Sequence, residues 1–136
     1  MGIRFHNLLD PRLTPVPLDA NQMEQVFINV LINAMDALPC GGDIAFSTLV
    51  LDNGNKGDRP DRVRIEIRDN GSGIDEAHQR EVFDPFFSTK ESGTGLGLPL
   101  SLGIVESHQG AMTISSDRDS GTVVAIDLPV KPEQLI

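Results

Sequence analysis

Apolar residues between Asp19 and Leu38 recur every three or four positions, which is the spacing of one face of an α-helix. No Gly or Pro interrupts this stretch, and Asp19 with Gln22 three residues later is typical of a capping box at a helix start. We therefore predict a helix of about five turns that is mostly buried. Its broad apolar arc comprises Met23, Val26, Phe27, Val30, Leu31, Ala34, Met35 and Leu38, extended by Ile28 and Ile32.

The same predicted helix carries a narrow polar stripe, about 80° wide at 100° per residue. Its members are Gln22, Gln25, Asn29, Asn33 and Asp36. The stripe is either the solvent-facing side of the helix or a face that meets a ligand, and periodicity alone favours neither. Solvated stripes usually carry Lys and Glu, whereas amides at intervals of four suit a ligand or a metal ion. Asn29 and Asn33 are therefore candidate binding residues.

Strands are predicted in four runs, at 43–51, 62–69, 111–116 and 122–128, where apolar residues alternate with polar ones or turn residues bound the run. The last two form a hairpin. The leading segment, residues 2–18, contains Pro11, Pro15 and Pro17 and is at best a short edge strand before the helix. We expect the partner of that edge strand to lie outside this chain.

Asp69 is predicted to point into the core, because it lies on the same face of its predicted strand as the apolar residues. Val63, Ile65 and Ile67 alternate with charged residues, so the odd positions face the core. An ionised carboxylate pointing inward costs several kcal/mol unless hydrogen-bond donors meet it. The alternative is that the strand ends at Arg68 and Asp69 merely caps the turn at 70–73.

A glycine-rich segment at 93–97 leads into a second helical pattern, in which Leu98, Leu102 and Val105 share a face. Pro99 suits the first turn of a helix, and backbone N–H groups between glycines favour an anion such as phosphate. Taken alone, such a glycine string also occurs in flexible linkers. It is neither a P-loop, because Lys90 precedes the glycines, nor a dinucleotide fingerprint starting at Gly71, because Glu76 stands where Gly is needed.

Composition narrows the function classes. The chain has 136 residues, 39% of them hydrophobic, and this length predicts one compact domain over 1–136. Eleven Lys and Arg against twenty Asp and Glu give a net charge of −9, so no basic field exists to hold a nucleic acid or an anionic membrane. The lone Cys40 fits a reducing compartment, and no apolar run is long enough to span a membrane. We expect a cytoplasmic domain, whose parent protein is either soluble or membrane-attached.

Four motifs follow one another in the chain: QVFINVLINA at 25–34, DNGSGI at 69–74, FDPFFSTK at 83–90 and GTGLGL at 93–98. In this order they resemble the N, G1, F and G2 boxes of the ATP-binding catalytic domain of bacterial sensor histidine kinases. That superfamily also includes gyrase, the mismatch-repair ATPases and a heat-shock chaperone. The stretch 84–98 and the residues NAMDA at 33–37 are most similar to the nitrogen-regulation type of kinase.

The resemblance implies an α/β two-layer sandwich, the Bergerat ATP-binding fold. In it, a mixed and mostly antiparallel sheet of about five strands carries about three helices on one face. It also implies that Asp69 accepts a hydrogen bond from the adenine 6-amino group and that Asn33, with Asn29, holds Mg²⁺. Lys90 and the glycine amides then complete the phosphate cradle, under a mobile lid at 84–95.

The implied catalytic residues are Asn29, Asn33 and Lys90. The implied nucleotide-binding residues are Asp69, Gly71, Gly73, Ile74, Phe83, Phe87, Lys90, Gly93, Thr94, Gly95, Leu96, Gly97 and Leu98. In addition, Phe83, Phe86 and Phe87 anchor the lid or meet a partner domain.

The implied reaction is transfer of the ATP γ-phosphoryl group to a histidine. His6, His78 and His108 are the only histidines, and none has the sequence context of the family's phosphoacceptor. We therefore expect a catalytic fragment that acts on a separate dimerisation domain, with a response regulator downstream. Hydrolases of the superfamily carry a general-base Glu four residues before the metal-binding Asn, where this chain has Asn29, so ATP hydrolysis should be slow.

Three alternatives remain open from the sequence. A serine kinase of the anti-sigma-factor type uses similar boxes on another acceptor, and its phosphoserine product is acid-stable whereas phosphohistidine is acid-labile. A nucleotide-dependent interaction module binds ATP without catalysis. A scaffold without a nucleotide site is the third.

Overall fold

The computed structural model describes residues 2–11, 18–38, 40–51, 62–71, 73, 97–117 and 121–129. In chain order the elements are β1 (Ile3–Leu8), α1 (Ala20–Asp36), β2 (Gly42–Leu51), β3 (Arg62–Asp69), α2 (Gly97–Ser107), β4 (Ala111–Asp117) and β5 (Gly121–Pro129). The five predicted strands are confirmed. Within these ranges there are two helices, where about three were expected for the whole chain, and neither is long and apolar enough to cross a bilayer.

The five strands form one mixed sheet in the order β1-β2-β3-β5-β4. All neighbouring pairs are antiparallel except β1 and β2, which run parallel with Ile3 opposite Gly42 and Leu8 opposite Ser47. The expectation that the partner of the first strand lies outside the chain is therefore wrong. A parallel pair needs a long crossover connection, and the helix α1 lies within that connection. The prolines of the leading segment follow the strand and leave its pairing intact.

The core lies between the two helices and one face of the sheet. Sheet residues of a single parity are buried there, including Ile44, Val63, Ile67, Ile126 and Leu128. The helix α1 contributes four fully buried residues, Met23, Val26, Val30 and Ala34. Burial of this apolar surface, at about 25 cal/mol per Å², is the main term that holds the two layers together.

The prediction that α1 is mostly buried is wrong. Ile28, Ile32 and Met35, which extend or border the predicted apolar arc, expose 42%, 50% and 44% of their surface. The physical reason is that the helices form a single layer. One side of α1 packs on the sheet, and no second layer covers the opposite side in the described part of the molecule.

The predicted capping box at the start of α1 is half present. Oδ1 of Asp19 accepts the N–H of Gln22 at 3.0 Å, as expected of an N-cap. In a full box the Gln22 side chain would take the N–H of Asp19. That N–H instead donates to Nε2 of His108, at the far end of α2 (3.0 Å). The helix then ends at Asp36, two residues before the predicted boundary.

The helix α2 ends in a Schellman motif. The N–H of Gly110 donates to the carbonyl of Val105, and the N–H of Gln109 donates to that of Glu106, both at 2.9 Å. Gln109 occupies the left-handed position of this motif, with φ of 63°. An L-residue with a Cβ pays a steric cost there that glycine avoids.

Replacing Gln109 by glycine should therefore stabilise the fold. We expect a gain of about 0.5–1 kcal/mol in the free energy of unfolding, because the relief of backbone strain exceeds the extra entropy that glycine gives the unfolded chain. Denaturant unfolding measures this gain. The control Gln109→Ala keeps the Cβ and should show no gain, and equal stabilisation by both variants would contradict the assigned strain.

Candidate functional site

The amide stripe of α1 is divided between solvent and the second helix. Gln22, Gln25 and Asp36 are exposed, whereas Asn29 and Asn33 are half-buried. Nδ2 of Asn29 donates to the hydroxyl of Ser101 on α2 at 3.1 Å, and Ser101 is fully buried. The solvent-facing interpretation is therefore correct for the margins of the stripe, and the ligand-binding interpretation stays a prediction for Asn29 and Asn33. The margins of the stripe face water, and its two asparagines lie in the half-buried part.

The two helices run antiparallel, in a register that two hydrogen bonds define. His108 meets Asp19 at one end, and Ser101 meets Asn29 further along. One turn beyond Asn29 is Asn33, and one turn before Ser101 is Gly97. Since each step is about 6 Å along its helix, this register brings Asn33 level with the first residue of α2. The residue Asn33 is thus level with the start of α2, and the N–H groups and dipole of a helix N-terminus favour an anion.

Asp69 is the last residue of β3 and faces the helix-covered side of the sheet. It lies between Ile44 of β2 and Thr122 of β5, and it is only 4% exposed. The parity argument is therefore confirmed. The turn-capping alternative is also partly correct, because Oδ1 of Asp69 accepts the N–H of Gly71 at 2.9 Å.

Burial raises the pKa of the Asp69 carboxyl, and the backbone N–H groups of Gly71 and Thr122 oppose this rise only in part. Within the described residues, no cation contributes to this shift. In this part of the chain the ionised carboxylate is thus under-compensated, and a ligand that supplies a hydrogen-bond donor would reduce that cost.

The loop after Asp69 presses against the end of α1. A Cβ on Gly71 would lie 2.5 Å from the carbonyl oxygen and 2.9 Å from the Cβ of Ala37, the residue that caps α1. Gly73 adopts φ of 78°, which glycine reaches without strain. This close approach holds the Asp69 loop at the C-terminal end of α1, the end that carries Asn33. Asp69 and Asn33 therefore both lie on the helix-covered side of the sheet.

Two polar residues near Asp69 escaped the sequence analysis. Thr122, directly opposite Asp69 in the sheet, is 7% exposed, and its hydroxyl lies 2.9 Å from that of Ser116. Thr122 shares its parity with Val124, Ile126 and Leu128, so the alternation in β5 already indicated an inward-facing hydroxyl. What the sequence did not reveal is that β5 pairs with β3 and thereby places Thr122, whose backbone N–H bonds the carboxylate, opposite Asp69.

Asn70 is the second of these residues, and it anchors the loop from the other side. Its Oδ1 accepts the N–H of Asp43 at 2.9 Å, and its Nδ2 donates to Oδ2 of Asp43 at 3.1 Å. Asp43 also binds His6 and Arg4 of β1, each at 2.9 Å. The hydrogen bond from His6, followed by that from Arg4, lowers the pKa of Asp43. A polar network thus runs from β1 through β2 to the residue next to Asp69.

The remaining predicted site residues are only partly within the described ranges. Gly97 begins α2, and Leu98 packs against the hydrophobic core. The predicted lid at 84–95 lies outside the described residues, and so do Ile74, Phe83, Phe87, Lys90, Gly93, Thr94, Gly95 and Leu96.

Comparison with known proteins shows the family to which the chain belongs. A family model for histidine kinase-, DNA gyrase B- and HSP90-like ATPases matches residues 18–132. Sporulation kinase E of Bacillus subtilis (strain 168) is 41% identical over 119 residues, which are 88% of this chain and 15% of that protein. The sensory histidine kinase/phosphatase NtrB of Rhodobacter capsulatus is 38% identical over 145 residues, which cover 99% of this chain and 40% of that protein.

Among solved structures, the nucleotide-free catalytic domain of the histidine kinase ThkA superimposes with a TM-score of 0.80 and 32% identity. The match covers 97% of this chain and 82% of that domain. This chain therefore spans less than half of each of the two curated kinases but most of an isolated catalytic domain. The mixed sheet and the order of the motifs agree with these matches. The chain thus belongs to the family of histidine kinase-, DNA gyrase B- and HSP90-like ATPases, as an ATP-binding catalytic domain of the sensor histidine kinase type, to which NtrB also belongs.

Proposed function

We propose that this chain binds Mg-ATP and transfers the γ-phosphoryl group to a histidine on a separate phosphoacceptor and dimerisation domain, from which a response regulator receives it. The observation that carries the proposal is the position of Asp69. A buried, under-compensated carboxylate lies on the same side of the sheet as an asparagine that is level with a helix N-terminus. The Asp69 end of this site suits a base with an exocyclic hydrogen-bond donor, and the Asn33 end suits phosphates.

Asp69 selects adenine by hydrogen bonding. The 6-amino group of adenine donates to the carboxylate, whereas guanine presents a carbonyl at that position and would face it with a second acceptor. An unpaired buried acceptor costs about 1–3 kcal/mol or more, which is enough for strong discrimination. Thr122, which lies beside Asp69 and has a hydroxyl that both donates and accepts, extends the polar floor of this base pocket.

The amide oxygens of Asn33 and Asn29 fit a magnesium ion, because Mg²⁺ prefers hard oxygen ligands and retains several of its waters. The described residues contain no group of three or more His, Cys, Asp or Glu side chains that could form an all-protein metal site. A bound ion would neutralise the negative charge of the ATP phosphates. Asn33 would hold it, and Asn29, whose Oδ1 accepts from Gln25 at 2.9 Å, would support it from one turn away.

The chain's own residues bind and orient the nucleotide and exclude water from it. N–H groups at the start of α2 and in the glycine segment 93–97 bind the phosphates, and Lys90 adds positive charge. By the resemblance, the segment 84–95 would act as a lid over the nucleotide, anchored by Phe83, Phe86 and Phe87. No carboxylate stands four residues before Asn33, so water has no general base there and hydrolysis is slow.

The histidines of the described residues are already engaged in structural bonds. His6 binds Asp43, and His108 binds both Asp19 and its own helix. His78 lies outside the described residues. These structural bonds do not favour His6 or His108 as the phosphoacceptor, which supports a histidine on another domain.

The experiment measures binding first and transfer second. A fluorescent ATP analogue should bind this chain only with Mg²⁺, and the chain alone should hydrolyse ATP at a negligible rate. Adding a histidine-bearing dimerisation domain should yield a phosphorylated product that acid destroys. An acid-stable product would instead indicate the serine-kinase alternative, binding without transfer would indicate the interaction module, and rapid hydrolysis by the chain alone would contradict the assigned role of Asn29.

A further inference from the structure

We propose that His108 is a positioning residue for the nucleotide site: its imidazole fixes the register of α1 against α2 and thereby holds Asn33 level with the phosphate-binding start of α2. This inference rests on the proposed function of that site. His108 itself lies at the opposite end of α2 from Gly97 and touches neither the base pocket nor the phosphate end.

Both ring nitrogens of His108 are engaged, and each has a different partner. Nδ1 lies 2.9 Å from the carbonyl oxygen of Ile104, and Nε2 lies 3.0 Å from the backbone nitrogen of Asp19. A carbonyl only accepts and a backbone N–H only donates. The hydrogen-bond network therefore assigns a neutral ring with its proton on Nδ1 and the lone pair of Nε2 directed at Asp19.

The bond to Asp19 joins two helices rather than closing one. The N–H of an N-cap residue is one of the groups that a helix leaves without an internal partner, and a capping box normally satisfies it from the third helical residue. Here that residue is Gln22, whose backbone N–H binds the Asp19 side chain. Because the N–H of Asp19 is bonded to His108 instead, the start of α1 is tied to the end of α2.

The consequence for the site follows from helix geometry. The Asn29–Ser101 bond is a second contact between the same helices. From Ser101 it is about 10 Å along α2 to His108 and about 6 Å in the other direction to Gly97. A tilt of α2 about this contact that moves its His108 end by about 1 Å moves its Gly97 end by roughly 0.6 Å the opposite way, and so changes the position of Gly97 relative to Asn33. Phosphate binding by backbone N–H groups is sensitive to displacements of this size.

Two substitutions at His108 separate the interhelical bond from the bond within α2. In His108→Asn the amide nitrogen replaces Nδ1 and keeps the bond to Ile104, but the side chain is too short to reach Asp19. In His108→Gln the longer amide places an oxygen near the position of Nε2, where it accepts from Asp19. We expect the dissociation constant for a fluorescent ATP analogue with Mg²⁺ to rise roughly three- to tenfold in H108N and to stay within about twofold in H108Q.

A third variant distinguishes positioning from simple stabilisation. Adding Gln22→Glu to H108N completes the capping box from within α1, which satisfies the N–H of Asp19 and restores stability without the link to α2. If His108 positions the site, Q22E/H108N unfolds like the unchanged chain in denaturant but still binds the analogue more weakly. If His108 acts only on stability, the double variant recovers full affinity and the inference fails.

If H108N alone does not fold, the double variant Q22E/H108N is used in its place to test the inference. A folded variant that lacks the interhelical bond yet binds the analogue with unchanged affinity would overturn the positioning role alone. Absence of Mg²⁺-dependent binding by the unchanged chain would overturn the proposed function, and the inference with it. The two failures are therefore distinguishable in one series of titrations.

Discussion

Asp69→Asn should abolish ATP binding while stabilising the nucleotide-free chain. Asparagine keeps an oxygen for the N–H of Gly71 but presents an amide to the 6-amino group of adenine, where it sets a donor against a donor. We expect affinity to fall at least about 100-fold, which corresponds to about 3 kcal/mol. Titration with a fluorescent ATP analogue measures the loss.

The stabilising half of this prediction follows from the direction of the pKa shift. Burial raises the pKa of Asp69 above its unfolded value. Between the two values the native chain binds more protons than the unfolded chain, so stability falls as pH rises through that window. Once the pH exceeds the folded pKa, the native state carries the full cost of the buried charge. Asp69→Asn removes that cost, so its unfolding midpoint should rise and the corresponding pH dependence should disappear.

Asp43 provides a control, because its pKa is shifted in the opposite direction to that of Asp69. Its pKa is lowered by His6 and Arg4, so its contribution to stability is present above the unfolded pKa and is lost as pH falls through the folded pKa. Asp43→Asn should therefore lower stability at neutral pH, where Asp69→Asn raises it. If both variants shift the unfolding midpoint in the same direction, the assigned environment of Asp69 is wrong.

Gly71→Ala should destabilise the fold by about 2–3 kcal/mol and weaken nucleotide binding as well. The added methyl group would meet the carbonyl oxygen and the Cβ of Ala37, which are backbone and helix-anchored atoms that cannot rotate away. The Asp69 loop must then move off the end of α1. Denaturant unfolding measures the first effect and titration with the ATP analogue the second.

Gly103 provides the matched control for this substitution. It lies within α2, and an added Cβ would have no neighbour within 4 Å. Gly103→Ala should therefore stabilise the chain by about 0.5–1 kcal/mol, the helix propensity difference alone. If Gly71→Ala behaves like Gly103→Ala, the loop does not pack on α1 as described.

Local sequence patterns predicted a residue's environment correctly wherever that environment depends on its neighbours along the chain. Alternation placed Val63, Ile67 and Asp69 on the buried face, and the absence of Gly and Pro identified α1. The N-cap role of Asp19 was also readable, because its acceptor serves an N–H only three residues away. Four of the five strands were predicted for the same reason, since a period of two is a property of the segment itself, whereas the first segment was predicted only as at best a short edge strand.

Contacts between distant segments were not readable in this way. The pairing of β1 with β2, the position of Thr122 opposite Asp69, and the bond from Asp19 to His108 each join residues at least 39 positions apart. The exposure of the outer side of α1 could not be predicted either, because an apolar residue in the sequence does not indicate whether a second layer will cover it. Only the packed molecule settles these points.

For this protein, the sequence by itself determined the elements, the inward direction of Asp69 and the order of four motifs. The tertiary structure decided which strand completes the sheet edge, how two helices align to bring Asn33 level with Gly97, and which groups hold that alignment. The physical reason is that side-chain direction follows from backbone periodicity within a segment. Register between segments depends instead on packing and on hydrogen bonds whose partners are far apart in the chain.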